Sequence, residues 1–156
     1  ATMMVVFGLI LGAADRFASK TKELSQLTVK HGILYGLAQS LALVPGVSRS
    51  GATIAMGRAL GYSREAALRY SFLLALPAVF GSGLYQLKSA LTEDQVAVYS
   101  LAETFVATAI AFIVGYLVIA WLLKFVTTKS FAPFIIYRVI LGTTVLGLLA
   151  SGVLQA

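Results

Sequence analysis

The stretch Pro45-Gly46-Val47-Ser48-Arg49-Ser50-Gly51 interrupts an apolar run that extends from Gly32 to Leu60. Proline lacks the N–H that an α-helix needs, and glycine adopts backbone angles closed to other residues, so the run should break here. An arginine near the centre of a membrane segment costs about 2.5–3.5 kcal/mol on insertion scales and is by default functional. We therefore predict two half-helices that are joined by a polar loop.

Outside this loop the chain is strongly apolar. Of its 156 residues 59% are hydrophobic and 12% are charged, and its mean hydropathy is +0.90, whereas a soluble domain carries about 25% charged residues. The 12 Lys and Arg outnumber the 6 Asp and Glu but lie mainly between apolar runs, which argues against a nucleic-acid surface. The absence of cysteine excludes disulfides, thiolate metal ligands and a cysteine nucleophile. The composition predicts an all-α integral membrane protein.

The apolar runs predict a single transmembrane domain over residues 1–156. A helix needs about 20 residues to cross about 30 Å of hydrocarbon, and the first run is too short for that. We interpret it as a partial span and expect the chain to be the C-terminal part of a longer protein. The predicted segments are a partial span at 1–14, a hairpin at 32–60, and transmembrane helices at 66–87, 101–125 and 132–154.

The charges between these runs predict the topology. Lys and Arg are in excess in the loops at 15–30, 58–69 and 124–130, whereas acidic residues are in excess at 88–99. By the positive-inside rule, the first three loops are cytoplasmic and the fourth is external. Because both loops that flank residues 32–60 are then on one side, this segment should be a re-entrant helix-loop-helix hairpin. Such a hairpin must be buried within a multispanning helical bundle.

The polar loop carries the groups of an anion-binding site. The half-helix that starts near Ala52 directs unpaired N–H groups and the positive end of its dipole at the loop. Arg49 supplies a planar fork that matches two oxygens of one phosphate. The short hydroxyl donors of the loop are Ser48, Ser50 and Thr53. Broken helices facing anionic groups are typical of membrane anion sites, so we favour a phosphate or diphosphate ligand over an Arg49 that only snorkels to the interface.

The stretch Pro45–Thr53 resembles the PGxSRSxxT signature of the bacterial undecaprenyl-diphosphate phosphatases, the bacitracin-resistance family. The segments Leu37–Gln39, Phe72–Pro77 and Phe131–Arg138 are similar to that family as well. The resemblance implies a fold of two inverted repeats, each with a re-entrant hairpin, and this chain is similar to the second repeat only.

The resemblance also implies an activity. The expected enzyme hydrolyses undecaprenyl diphosphate to undecaprenyl phosphate in the bacterial cytoplasmic membrane, which recycles the lipid carrier for peptidoglycan synthesis and gives bacitracin resistance. The residues that match the signature are expected to be catalytic at Arg49 and Ser48, and to bind the diphosphate at Ser50, Gly51, Thr53 and Gly46.

Three further residues invite a role. Gln39 is interpreted as support for the loop, with an interhelical hydrogen bond as an equal alternative. Arg138 is interpreted as support for the loop as well, with snorkelling to the cytoplasmic side as the alternative. His31, the single histidine, is interpreted as a structural residue at the membrane edge. The catalytic Glu and His that the family carries in its first repeat have no counterpart here, so the missing N-terminal repeat is the expected partner.

No metal site is predicted within the chain, because the loop has no carboxylate. A divalent cation, Mg²⁺ or Ca²⁺, would arrive with the diphosphate. The expected partners are therefore the polyprenyl diphosphate lipid and the bilayer; the sequence leaves a homo-oligomer open. The alternative function is a membrane transporter or lipid flippase, because broken helices at mid-membrane are equally typical of secondary transporters.

Overall fold

A computed structural model describes residues 1–17, 21–92 and 100–154 of the chain. In these ranges the regular structure is helical, with one isolated bridge between Lys22 and Tyr62 and short 3₁₀ turns at Leu24–Gln26 and Leu41–Leu43. The all-α prediction is confirmed. The α-helices are α1 (Thr2–Phe17), α2 (Val29–Ser40), α3 (Arg49–Ala59), α4 (Arg64–Thr92), α5 (Leu101–Thr128) and α6 (Ala132–Ala150).

Three of these helices are long and apolar enough to cross a bilayer, over Arg64–Ser89, Ala102–Thr128 and Ala132–Ala150. The chain is therefore a multi-pass membrane protein. Helix α6 ends at Ala150, short of the predicted end at 154, because the chain turns at Gly152 with a φ of +75°. Residues 93–99 of the predicted external loop lie outside the described residues.

The apolar run from 32 to 60 is broken as predicted, because α2 ends at Ser40 and α3 begins at Arg49. With 12 and 11 residues, the half-helices are about 18 and 16 Å long at 1.5 Å per residue. Each one is therefore long enough to cross about half of 30 Å of hydrocarbon and too short to cross all of it. The two pack closely, since a Cβ added at Gly57 would overlap the hydroxyl of Tyr35.

Helix α3 lies at the centre of the molecule. It contacts α1, α2 and α4, and most of its length is buried, as a polar segment at membrane depth requires. Its buried residues are Gly51, Ala52, Thr53, Ile54, Ala55, Gly57 and Arg58. The neighbouring helices therefore hold the start of α3, which carries the polar loop, in a fixed position.

Both ends of the hairpin meet at one end of the bundle, which we call the charged end. Nδ1 of His31, in the first turn of α2, lies 2.7 Å from the hydroxyl of Tyr62, which follows α3. Nζ of Lys22 donates to the carbonyl of Leu60 at 2.7 Å. These contacts give His31 a structural position, as the sequence predicts, and they are the contacts that a hairpin opening to one side requires.

A buried ion cluster joins α1, α3 and α4 at the charged end. The Asp15 carboxylate accepts from Nε of Arg58 at 3.0 Å and from Nε and Nη2 of Arg64 at 2.7 and 2.9 Å. Arg58 also donates to the carbonyls of Tyr62 and Asp15. Burial favours the neutral acid, but the hydrogen bond and charge of Arg64 and the charge of Arg58 outweigh it and hold the pKa of Asp15 below its usual value.

Candidate anion-binding site

The polar loop before α3 has an unusual backbone. Gly46 has a φ of +90°, and Ser48 has a φ of +69°, which among the described residues other than glycine is the single positive value. A serine in this region costs about 1–3 kcal/mol and persists only where the surroundings hold it, most often at functional sites. The loop is therefore maintained by contacts from the rest of the molecule.

Ser48 caps helix α3. Its Oγ accepts a hydrogen bond from the N–H of Gly51 at 3.2 Å, and its carbonyl accepts from the N–H of Ala52 at 3.0 Å. A Cβ at Gly51 would lie 3.2 Å from that Oγ, so glycine makes the close approach easy. The N–H groups of Arg49 and Ser50 have no partner among the described residues, and together with the helix dipole they favour a bound anion.

Arg49 and Ser50 are the first two residues of α3, and both side chains are exposed. The ion pairs within the described ranges join Asp15 to Arg58 and Arg64, and Arg49 takes no part in them. The guanidinium of Arg49 is therefore available for a ligand, as a phosphate-binding fork at this position requires.

Arg138 reaches the loop from α6. Its Nη2 donates to the carbonyl of Gly46 at 2.7 Å and to the carbonyl of Val47 at 3.1 Å. Val47 is buried, so the loop is held by an apolar contact and by charged hydrogen bonds. Of the two predicted alternatives for Arg138, the structure has the one in which the guanidinium contacts the hairpin.

Thr53 differs from its predicted position at the ligand. It is fully buried, and its hydroxyl donates within the helix to the carbonyls of Arg49 and Ser50. The same Oγ1 lies 2.5 Å from Oγ of Ser71 on α4. Thr53 therefore ties the first turn of α3 to α4, and the sequence analysis missed Ser71 because the contact joins residues that are distant in the chain.

Gln39 lies on α2 below the loop, and its side-chain oxygen is buried without a protein partner in the described ranges. The hydroxyl of Tyr35, one turn earlier on the same helix, is in the same state. A buried polar atom without a partner is costly, so both atoms are suited to a water. The structure does not bring Gln39 into hydrogen-bond contact with the loop.

A cavity of about 260 Å³ opens beside the loop. One side of the cavity is polar and is formed by Ser48, Ser50, Gly51 and Arg138. Arg49 does not line the cavity. Its apolar walls come from α1, α3, α4, α5 and the start of α6. They are formed by Leu11, Ile54, Leu68, Phe72, Leu122, Phe131 and Phe134. Such a cavity fits a molecule with an anionic head and a hydrocarbon tail.

The donor set of the loop does not fit a metal ion. Its side chains are hydroxyls and guanidinium groups, and in the described part of the chain no group of three or more His, Cys, Asp or Glu could hold a metal. Magnesium and calcium prefer carboxylate and carbonyl oxygens. The acid Asp15 and the base His31 both lie at the charged end, away from the loop.

Comparison with known proteins gives consistent results. The family described as bacitracin resistance protein BacA matches residues 1–144. The chain is 57% identical to an undecaprenyl-diphosphatase of Micrococcus luteus and 58% identical to one of Pseudarthrobacter chlorophenolicus, and both alignments cover 100% of this chain and 57% of the relative. It is 56% identical to undecaprenyl-diphosphatase 2 of Agrobacterium fabrum, covering 100% of this chain and 55% of that protein. The chain thus spans little more than half the length of these relatives.

Proposed function

The chain belongs to the bacitracin resistance protein BacA family, and from this premise we propose that it is part of an enzyme that hydrolyses undecaprenyl diphosphate to undecaprenyl phosphate. The names of its relatives support this reaction. In a bacterial cytoplasmic membrane the reaction would recycle the lipid carrier for peptidoglycan synthesis and give bacitracin resistance.

The observation that carries the proposal is the start of α3. Within the described part of the chain, the guanidinium of Arg49 has no ion-pair partner there, and the N–H groups of Arg49 and Ser50 have no hydrogen-bond partner. The positive end of the helix dipole lies beside them. Groups of this kind, held in place before the reaction, stabilise the charge that develops on a transferred phosphoryl group. A strained backbone at Ser48 supports a functional role for the same loop.

We assign the terminal phosphate to Arg49 and to the N–H groups at the start of α3. Ser48 and Ser50 line the adjoining cavity, so their hydroxyls would donate to oxygens of the diphosphate, while the apolar walls would take the first part of the prenyl chain. Gly46 and Gly51 permit the loop conformation, and Arg138 and Thr53 keep it in place.

The loop itself holds no general acid or base. The guanidinium of Arg49 stays protonated and cannot accept a proton, and a serine nucleophile needs an activating partner. We propose that these groups come from a part of the protein outside this chain, which is itself the expected partner of the hairpin. A divalent cation would be bound by the diphosphate.

The test is a phosphate-release assay on undecaprenyl diphosphate in detergent or nanodiscs. The chain by itself should bind the lipid but release no phosphate, and the chain together with the remainder of the protein should release one phosphate per lipid. Undecaprenyl phosphate is the matched substrate control and should not be hydrolysed. Movement of intact undecaprenyl diphosphate across the bilayer without phosphate release would support the transporter alternative and overturn the proposal.

A further inference from the structure

A second cavity, of about 540 Å³, lies at the charged end between α1, α4 and the start of α6. We call it the basal cavity. Its polar lining is Asp15, Arg16, Arg64 and Ser130, and its apolar lining includes Phe17 and Ile135. It shares no lining residue with the cavity beside the polar loop.

The charges around the basal cavity do not balance. Asp15 is the single acid of its lining, and this carboxylate is already bound by both Arg58 and Arg64. Arg16 is exposed and takes no part in the ion pairs of the described ranges. The described lining thus has two guanidinium groups, those of Arg16 and Arg64, against one carboxylate, and that carboxylate is also paired with Arg58 from behind the lining. A positive potential in a partly buried site favours a bound anion.

The other groups at the basal cavity favour an anion as well. Helix α6 begins at Ala132, and the backbone of its N-cap residue Phe131 interacts with the Asp15 carboxylate, so the positive end of the helix dipole lies on the same side of the cavity as the arginines. Ser130 lines the cavity, and its Oγ accepts a hydrogen bond from the N–H of Ala132 at 3.3 Å. Its hydroxyl proton therefore stays available for an anion. Among the described residues, the lining of the cavity has no second carboxylate.

The apolar part of the lining distinguishes a lipid from a free ion. Phe17 is 81% exposed, and with Ile135 it gives the cavity a hydrocarbon wall beside the arginines. The loops that form the cavity carry the positive excess that marks the cytoplasmic membrane surface, where basic pockets between helices bind anionic lipid head groups.

We propose that the basal cavity binds the phosphate of an anionic phospholipid, with Arg16 and Arg64 on the phosphate oxygens and Phe17 along an acyl chain. The bound lipid would hold the ends of α1, α4 and α6 together at the charged end. This proposal does not rest on the phosphatase reaction, because the cavity and its arginines are separate from the polar loop.

The experiment is native mass spectrometry of the purified protein in a neutral detergent, titrated with phosphatidylglycerol. Arg16→Gln should raise the lipid concentration at half-saturation about fivefold, because a basic residue near an anionic surface contributes about 1 kcal/mol. Arg69→Gln is the matched control, because Arg69 is exposed on the second turn of α4 and does not line the cavity. Arg69→Gln should leave the lipid concentration at half-saturation unchanged.

Two further titrations separate the sources of the anion. Phosphatidylcholine with the same acyl chains should bind more weakly than phosphatidylglycerol, and inorganic phosphate should not compete at equal concentration. Equal binding of the two lipids, an equal loss in Arg16→Gln and Arg69→Gln, or full competition by inorganic phosphate would each overturn the proposal.

Discussion

The two ends of the hairpin hold arginines in opposite states. At the charged end, Arg58 is fully buried and all of its hydrogen bonds go to Asp15 and Tyr62. At the tip, Arg49 is exposed and takes no part in an ion pair of the described residues. The first arginine is used for packing the helices, whereas the second is left available for a ligand.

The backbone differs in the same way. At the charged end, the backbone N–H of Lys22 donates to the carbonyl of Gly61 at 3.0 Å, and the backbone N–H of Ser63 donates to the carbonyl of Lys22 at 2.9 Å. The tip has a strained serine, and the N–H groups of Arg49 and Ser50 have no partner in the ranges that the structure describes. Strain and unsatisfied donors are tolerated where they serve a function, and paired charges are used where a position has to be fixed. We therefore expect changes at the charged end to affect stability, and changes at the tip to affect activity.

The largest effect is expected from Asp15→Asn. Removing one partner of a buried ion pair costs about 3–5 kcal/mol, because the remaining charge is left uncompensated, and here both Arg58 and Arg64 lose their acid. The free energy of unfolding in detergent is the measurement. Glu65→Gln is the control at the same end, because Glu65 is exposed. A loss in Asp15→Asn no larger than that of this control would show that the cluster does not stabilise the fold.

Arg49→Lys should affect catalysis and leave stability alone. Lysine keeps the charge but loses the planar fork, and removal of one group that stabilises a developing anion costs about 10²–10³ in kcat. The measurement is phosphate release from undecaprenyl diphosphate by the complete protein, with the free energy of unfolding as the control. Turnover near that of the native protein would reduce Arg49 to an anchor at the membrane interface.

Ser48 should show an intermediate effect. Ser48→Ala loses the cap of α3, which costs about 1 kcal/mol, and it should reduce turnover less than Arg49→Lys does. Ser48→Asn is the matched variant, because asparagine caps helices and tolerates a positive φ. Its unfolding free energy should stay close to that of the native protein. If Ser48→Asn lowers the free energy of unfolding as much as Ser48→Ala does, then neither helix capping nor tolerance of the φ of +69° explains the serine at this position.

The smallest expected effect is the pH dependence of the free energy of unfolding. The folded pKa of Asp15 is held below the ordinary value of 3.8 by Arg64 and Arg58 against the effect of burial. The stability from a lowered pKa is fully present above the unfolded value and is lost as the pH falls through the folded value. The difference in unfolding free energy between the native protein and Asp15→Asn should therefore be constant from neutral pH to about 4 and shrink below it. A difference that already shrinks between pH 7 and 5 would contradict the lowered pKa.

Local sequence signals predicted the break between α2 and α3. Proline and glycine interrupt helices through their own covalent structure, so the break between α2 and α3 follows from Pro45 and Gly46. The long apolar runs likewise predicted the starts of α4, α5 and α6 to within two residues, whereas α4 and α5 extend five and three residues past their predicted ends and α6 ends four residues before its own.

Contacts between distant residues were not predictable in this way. Asp15 and Arg58 are 43 positions apart, and no local pattern pairs them, so Arg58 was counted as a loop charge when it is a buried one. The hydroxyl of Thr53 was assigned to the ligand because it belongs to the signature, whereas its position on the helix directs it to Ser71. The positive φ of Ser48 was also missed, because serine rarely adopts it.

The re-entrant hairpin is tested most directly by labelling single cysteines, because the chain has none of its own. Ser25→Cys and Glu65→Cys introduce the thiols just before and just after the hairpin, at positions that are exposed. A reagent that cannot cross the membrane should label both from the cytoplasmic side and neither from outside. Labelling of one cysteine from inside and the other from outside would mean that residues 32–60 cross the bilayer, and it would contradict the hairpin.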